Sequence, residues 1–572
     1  MRYSAGMSSP AFKEPAAAVP PTPLDHVDAL VARVASQKDV WLKVGLVDRI
    51  ALLRRCQEGV LAVAEEWVRG GCELKGIAPG DPLEGEEWLA GPMTTLRNIR
   101  LLIETLEAGG QPTPRAVRER GDGQKVAAVF PADARDQLLF GGFTAEVWIQ
   151  KGKPASQGKI YREPPRAPGK VALVLGAGNV SSIPPMDFLY KLFAENEVVV
   201  CKMNPVNAHV GAKLERAFKP LIDDGYLAIC YGGAQVGAHL AEHPLIDSLH
   251  ITGSDRSYDA IVWGADPDEQ KRRKAMNQPK NAKPFTAELG CVTPVLVVPG
   301  PWSEGDLAFQ ARHVAGMVVQ NGSFNCNAAK VLVTARGWSE RGRFLGHVDA
   351  ALERTPARKA YYPGARDRYQ GFVDRYPAAR RLGPDAPDVV PWTVIPDVPA
   401  RDGEYALTTE AFCGILAETD VDTADPAVFL REAVALANER LWGTLSCCLL
   451  VHPATAKSHA RELDQAIADL RYGGIGVNVW PGLLYGLVSP TWGAYPGHTA
   501  QAIQSGTGVV HNSFLFDYPE KSVLRAPFRI RPTPVWFPDH KTLAVVGRRI
   551  TELEAAPSWL GAARVAIAAL RG

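Results

Sequence analysis

Residues 170–201 read KVALVLGAGNVSSIPPMDFLYKLFAENEVVVC. VALVLGAG is a short apolar run rich in Val and Leu that ends in glycines, the pattern of a buried strand stopped by a turn. Gly176 and Gly178 permit a tight turn, and Pro184 and Pro185 fix the entry into a helix over Met186–Ala194. Glu197–Cys201 (EVVVC) is then a second buried strand. Outward from here the alternation continues. Ala208–Asp223 reads as a helix, Ala228–Tyr231 as a strand, and Ser248–Thr252 as a closing strand before Gly253 and Ser254. A period that switches between two and about 3.6 is the signature of parallel βαβ construction, so the fold class is α/β.

On the N-terminal side, Leu24 to Ala108 places apolar residues three and four apart with charges between them, which predicts helices. Strands follow at Lys125–Phe130 and Ala145–Gln150, and Lys159–Arg162 could pair back on the latter as a hairpin. On the C-terminal side a second α/β stretch runs from Pro294 to about Gly476. It has strands at Val295–Val298, Lys330–Val333, Gly414–Leu416 and Ser446–Val451, and helices at Leu307–Val319, Pro426–Asn438 and Ala454–Ala468. The text from about Ala526 onward mixes Pro-rich and amphipathic segments and carries no assignable role.

Composition narrows the function. A net charge of +1 over 572 residues offers no field for nucleic acid or an anionic membrane, so neither partner is expected. No apolar run is long enough to span a bilayer. The lead MRYSAGMSSPAFKEPAAAVPPTPLDH lacks a secretory apolar block, so residues 1–23 are expected to be a flexible lead and the protein cytoplasmic. Nine scattered cysteines without a CxxC pair suit reduced thiols rather than disulfides or a zinc site, and no metal is expected.

Three residues could carry chemistry. Cys326, in QNGSFNCNAAKVLV, lies between an apolar helix and an apolar strand, where amides and helix N-termini can stabilise a thiolate. Taken alone it reads as an inert buried cysteine. Glu288, in KPFTAELGCVTP, adjoins a buried strand, where a carboxylate has the raised pKa a general base needs, or else a salt-bridge partner. Asn179 follows VALVLGAG and could donate to an oxyanion, or simply serve as a turn asparagine.

Together these residues resemble, in order and spacing over Leu24 to Phe528, the aldehyde dehydrogenase superfamily. GAGNVSSIPP is similar to that family's strand–Trp-Asn-Phe-Pro–helix element, with Asn179 in the oxyanion position. KMNP looks like Lys-Pro-x-Glu, with Lys202 matching the lysine at the adenosine ribose. GGAQVGAHLAEHPLIDSLHITGS, residues 232–254, is similar almost residue for residue to the cofactor-binding stretch, with Gly253 and Ser254 toward the pyrophosphate. AELG puts Glu288 in the general-base position, and Asn-Gly-x-x-x-Cys at 321–326 looks like the nucleophile loop. TEAFCGIL, Thr409–Leu416, would set Glu410 on the nicotinamide ribose and Phe412 against the nicotinamide ring. NERLWGTL, then GIGVNVWPG and SPTWGAY, resemble the far wall of the substrate tunnel, with Trp480, Leu483, Leu484, Tyr485, Trp492 and Tyr495 as lining candidates.

There are departures. Pro205 stands where a ribose-binding acid is common, which leaves NAD or NADP open as cofactor. Gly178 replaces a common Trp. Ser181 and Ser182 lengthen the turn beside Val180, and Cys291 replaces the second glycine after Glu-Leu. Asp255–Lys280 is long and charged.

The resemblance implies NAD(P)-dependent oxidation of a small-molecule aldehyde to an acid through a thiohemiacetal and thioester on Cys326. It also implies a Rossmann-like cofactor unit at 24–145 and 169–287, a catalytic domain at 288–507 and a β-hairpin oligomerisation flap at 146–168 with 508–528. A homodimer or homotetramer follows, leaving residues 529–572 as a C-terminal extension. Three rivals remain. A CoA-linked acyl reductase, or acylating aldehyde dehydrogenase, shares the nucleophile but needs no water-activating glutamate. A cysteine hydrolase would need His313 or His452 as base, and a non-catalytic cofactor-binding scaffold would need neither.

Overall fold

The computed structural model describes residues 19–165 and 167–572. Residues 1–18, and with them most of the lead expected at 1–23, lie outside the described residues.

The quoted stretch forms the centre of a six-stranded sheet. Its strands lie in the order Gly506–Thr507, Phe285–Leu289, Ser248–Gly253, Val171–Leu175, Val198–Lys202 and Leu227–Cys230. All but the first, two-residue strand are parallel to their neighbours. Every residue of Val171–Leu175 and Val198–Lys202 is buried, as a parallel sheet covered on both faces requires. From Val171–Leu175 the chain winds outward to Leu227–Cys230, then returns to Ser248–Gly253 on the opposite side. That reversal opens a crevice at the carboxyl ends of the two central strands, where α/β sheets bind ligands.

The helices hold near their expected places. Leu24–Trp41, Leu46–Lys75 and Thr94–Glu107 fill the region expected to be helical. Ile183–Ala194 starts with Pro184 and Pro185 in its first turn, where a missing amide costs nothing. The helix expected over Ala208–Asp223 breaks into Ala208–Ala217 and Lys219–Asp223, the second with Pro220 in its first turn.

A second sheet of eleven strands is parallel through its middle. From Pro519–Arg525 it runs through Gly474–Val477, Ser446–Leu450, Pro294–Val297, Val331–Ala335 and Ile415–Val421 to Thr393–Ile395. Thr144–Ile149, Lys125–Phe130 and Ala116–Glu119 extend it antiparallel beyond Pro519–Arg525.

Two sequence expectations are corrected here. Lys159–Arg162 is a helical turn, not a strand. Gly158 adopts a left-handed φ of 61° and donates to the Leu515 carbonyl, while Asp517 accepts from the Lys159 amide and pairs with Arg162. The hairpin partner of Thr144–Ile149 is Lys125–Phe130, so residues 116–130, grouped with the cofactor unit from sequence, pair into the larger sheet. Pro519–Arg525 does meet Thr144–Ile149, yet its other edge is taken by Gly474–Val477 of the same chain. Beyond residue 529, two helices, Leu543–Ala555 and Trp559–Ala569, form a hairpin against the segment 84–107. No helix among the described residues is long and apolar enough to cross a membrane.

Candidate active site

The crevice is a cleft of about 440 Å³. Gly176, Gly178, Gly233, Gly237 and Gly253 line it together with Lys202, Ser254, Glu410 and Phe412. All five cofactor residues expected from sequence therefore face one cavity. Ser254 follows the strand Ser248–Gly253 and caps the helix Asp255–Trp263, its hydroxyl accepting from the Ser257 amide at 3.2 Å. The first turn of a second helix, Ala234–Glu242, borders the same cleft, and Gly233 offers it no side-chain cap. Two helix N-termini at one cleft favour an anionic group between them. Lys202 Nζ reaches the Gly232 carbonyl at 2.9 Å. Gly178 is required where it stands, because a Cβ there would lie 2.6 Å from Asn204 Oδ1 and 3.0 Å from Val206 Cβ. Bulk before Asn179 is excluded by that close approach.

Deeper in the cleft, Cys326 and Glu288 meet. Eight cysteines are buried and Cys326 alone is half-buried, opening on this cavity. Its loop follows the helix Glu304–Val319 through a tight turn in which Asn321, Gly322 and Ser323 all have positive φ. Asn321 Nδ2 donates to the Asn179 carbonyl at 3.0 Å and to Asn325 Oδ1 at 2.9 Å. Asn179 Nδ2 donates to the Phe324 carbonyl at 2.9 Å, and Tyr361 closes the network by donating to the Asn179 carbonyl at 3.0 Å. The loop is thus tied to the turn after Val171–Leu175, 145 residues away in sequence.

Ser181 and Ser182 do not displace Asn179 from the cavity. Trp67 Nε1 donates to Ser181 Oγ at 2.7 Å, Ser182 bonds Tyr485 at 3.0 Å, and these contacts absorb the longer turn.

The electrostatics of the pair follow from its burial. Glu288 is 3% exposed. Desolvation pushes its carboxyl up to about 8, with Asp187 and Glu410 adding to the rise, while hydrogen bonds from Cys326 and Trp492 pull against it. Trp492 Nε1 stands 3.4 Å from Glu288 Oε1. Desolvation likewise raises the Cys326 thiol well above its ordinary value, and Glu288 and Glu410 raise it further against Lys330. Both shifts favour the protonated, uncharged forms, so a thiol and a carboxyl stand side by side in the cleft wall.

Sequence reasoning missed several supporting residues. Lys330 bonds the Asn325 and Ala328 carbonyls at 3.0 and 3.1 Å and pairs with Glu410 at 3.3 Å. Its position at the head of a buried strand, KVLVTA, was a signal, since a charge there must find a partner. Asp187 is 2% exposed, accepts from Thr252 at 2.9 Å, and leaves Oδ1 without a partner among the described residues. Cys291, the replaced glycine, still gives its backbone N–H to Glu410 at 3.3 Å. The histidines a hydrolase would need are elsewhere. His313 bonds Gln310 in the helix Glu304–Val319, His452 caps the helix Pro453–Ser458, and neither lines the cavities at Cys326.

Residues 167–361, which carry Asn179, Glu288 and Cys326, match a model of the aldehyde dehydrogenase family. Solved aldehyde dehydrogenases match the fold over most of the chain. The chain has the aldehyde dehydrogenase fold. It is similar to the aldehyde dehydrogenase KauB from Pseudomonas aeruginosa, with a TM-score of 0.60 and 18% identity, over 89% of this chain and 90% of that one. It is also similar to a Mycobacterium tuberculosis aldehyde dehydrogenase complexed with NAD+, with a TM-score of 0.58 and 18% identity, over 90% and 93% of the two chains. An NADP-dependent glyceraldehyde-3-phosphate dehydrogenase from Bacillus halodurans C-125, complexed with NADP, gives a TM-score of 0.56 and 15% identity over 88% and 92%. Within this aldehyde dehydrogenase fold, of the tunnel candidates, Trp480, Leu483, Tyr485 and Trp492 line cavities near Cys326, whereas Leu484 and Tyr495 do not.

Proposed function

We propose that this chain oxidises aldehydes to carboxylic acids with NAD or NADP as hydride acceptor, using Cys326 as nucleophile and Glu288 as general base. The observation that carries the reading is that Cys326 and Glu288 lie together in the wall of a glycine-lined cleft at a sheet switch point. The cleft suits a dinucleotide: glycines allow close backbone approach, two helix N-termini favour a pyrophosphate, and Lys202 and Glu410 offer polar groups at separate points. Bound there, the dinucleotide supplies the two-electron acceptor.

The protein's own groups do the rest. Glu288 takes the thiol proton and Cys326 Sγ bonds to the aldehyde carbon. In this reading the Asn179 side-chain amide and the Cys326 backbone N–H donate to the resulting oxyanion. After hydride has passed to the bound acceptor and Glu288 has given the thiol's proton to solvent, the regenerated carboxylate deprotonates a water that adds to the thioester, and the sulfur leaves as the acid is released. Retention of a buried, near-neutral carboxylate at the thiol favours water over coenzyme A as acceptor.

The test is dinucleotide reduction by purified protein with an aldehyde panel, with and without coenzyme A. Acid formation in its absence is expected. Acyl-CoA formation, or silence with dinucleotide still bound, overturns the reading.

Two variants probe the parts. Asn179→Ala removes one oxyanion donor and is expected to lower kcat by about a hundredfold to a thousandfold. KM for the aldehyde should change far less, a split that steady-state kinetics will read. Gly290→Ala acts at Glu410, because a Cβ there would fall 2.0 Å from Glu410 Oε2. The carboxylate must move off Lys330 and the Cys291 amide, and loss of one charge-assisted hydrogen bond to the ribose predicts roughly tenfold weaker dinucleotide binding, read by fluorescence titration.

A further inference from the structure

Besides desolvation, two acidic side chains, Asp187 and Glu410, raise the Glu288 carboxyl. Glu410 is already engaged, by Lys330 at 3.3 Å and by the Cys291 amide at 3.3 Å. Asp187 has an oxygen to spare. It is buried on the helix Ile183–Ala194, with Oδ1 unpartnered among the described residues. Burying a carboxylate oxygen without a partner is costly, and no step of the oxidation above uses it.

The surroundings of Asp187 are set by strand register. Thr252 pairs with Glu288, and His250 with Thr286, across the parallel strands Ser248–Gly253 and Phe285–Leu289. Residues two apart on a strand share a face, so these four side chains lie on one face of the sheet. Asp187 meets that face. The Thr252 hydroxyl donates to Asp187 Oδ2 at 2.9 Å. His250 Nε2 lies 3.3 Å from the Thr252 hydroxyl and 3.5 Å from Asp187 Oδ2, and Nδ1 bonds the Thr286 hydroxyl at 2.9 Å.

Beside the sulfur is a chamber of about 30 Å³ bordered by Cys326, Glu288, Thr252, Tyr485 and Trp492. Thr252 also lines the larger cleft. Chamber, cleft and Asp187 therefore meet at one hydroxyl.

The chemistry makes a double demand on Glu288. It takes the thiol proton before hydride transfer, and it must be free again to activate water. With the cleft filled and a thioester in the chamber, a carboxyl that is 3% exposed has little access to solvent.

We propose that Asp187 is the acceptor that frees Glu288 between the two halves of the reaction, with the Thr252 hydroxyl as the bridge. This rests on the oxidation reading above. The Glu288 carboxyl gives its proton to Thr252 Oγ, which passes its own proton to Asp187 Oδ2. The thiol proton thus reaches solvent in two stages, the first of which already restores the Glu288 carboxylate. Glu288 then deprotonates water, the hydroxide adds to the thioester, and the adduct expels a thiolate that recovers a proton from Glu288. The acid loses one proton to solvent. Asp187 loses the other through Thr252 to water in the cleft. His250 and Thr286 are positioning residues that hold the bridge against Asp187.

The experiment mixes each protein rapidly with dinucleotide and aldehyde and reads the first turnover apart from the steady state. In Asp187→Asn the amide oxygen can still accept from Thr252, but the side chain cannot take up a proton. The first equivalent of reduced dinucleotide is expected within about twofold of the parent rate, while steady-state turnover falls at least about tenfold. Thr252→Val, which removes the bridge, should show the same split. In Asp187→Ala, formate should enter the space left by the carboxylate and raise steady-state turnover at least about fivefold, with the first turnover unchanged. A purely structural role would give no such rescue. A first turnover that slows in step with the steady state, an unchanged steady state in Asp187→Asn, or no recovery with formate overturns the proposal and leaves the oxidation reading standing. A parent protein that reduces no dinucleotide with any aldehyde overturns both.

Discussion

Cys326→Ala protein is expected to reduce no measurable dinucleotide with any aldehyde while still binding the dinucleotide with little change. The sulfur is the one atom that can hold the substrate carbon through both halves of the reaction, and no other cysteine borders the chamber. Water placed there instead would have to attack a ground-state carbonyl, losing the division into two easier steps. Retained binding should follow because Lys202, Gly253 and Ser254 belong to the other end of the cleft, on strands and a helix that Cys326 does not touch. Steady-state assay and fluorescence titration of the same preparation read both arms. Residual turnover above a ten-thousandth of the parent rate would show that Cys326 is not the nucleophile.

Glu288→Gln is expected to lower kcat by about a hundredfold to ten-thousandfold, the range of a positioned general base. Its signature lies in how the loss is distributed. Removing the carboxylate also removes a negative charge and a hydrogen-bond acceptor that both hold the thiol protonated, so the thiol should ionise more easily in the variant. The first equivalent of reduced dinucleotide should therefore form with a modest delay, whereas release of the acid, which needs an activated water, should nearly stop. A stopped-flow burst followed by a slow steady state is the expected trace. The parent enzyme should gain rate as pH rises through about 8, where the Glu288 carboxyl gives up its proton. That limb belongs to the coupled thiol–carboxyl pair rather than to one group. A variant that keeps the same limb and shows no burst would place the base elsewhere.

Asn179 and Glu288 stand out in the chain by their settings, whereas Cys326 gained its weight only from the resemblance. Glycines, an amide and a carboxylate at strand ends are dictated by local chemistry: a turn must be tight and a strand must stop. VALVLGAGN and AELG carry those constraints within a few residues. The misreadings arose where long-range contacts decide. Lys159–Arg162 has a sequence that tolerates a strand, but Asp517, 358 residues from Lys159, captures its first amide and selects a helical turn. Lys330 announced a need for a partner without naming Glu410, 80 positions away by number. The C-terminal extension was opaque because its apolar residues match the segment 84–107, and no local pattern encodes a partner so remote.

The strand Pro519–Arg525 sits with Thr144–Ile149 on one side and Gly474–Val477 on the other. During synthesis, then, two open sheet margins wait for a segment that emerges after nine-tenths of the polypeptide. Closure at such sequence separation is slow, and unpaired margins invite pairing with other chains. Nascent chains stalled before residue 519 are therefore expected to aggregate, and the protein's yield in cells should hinge on how fast that last strand is delivered.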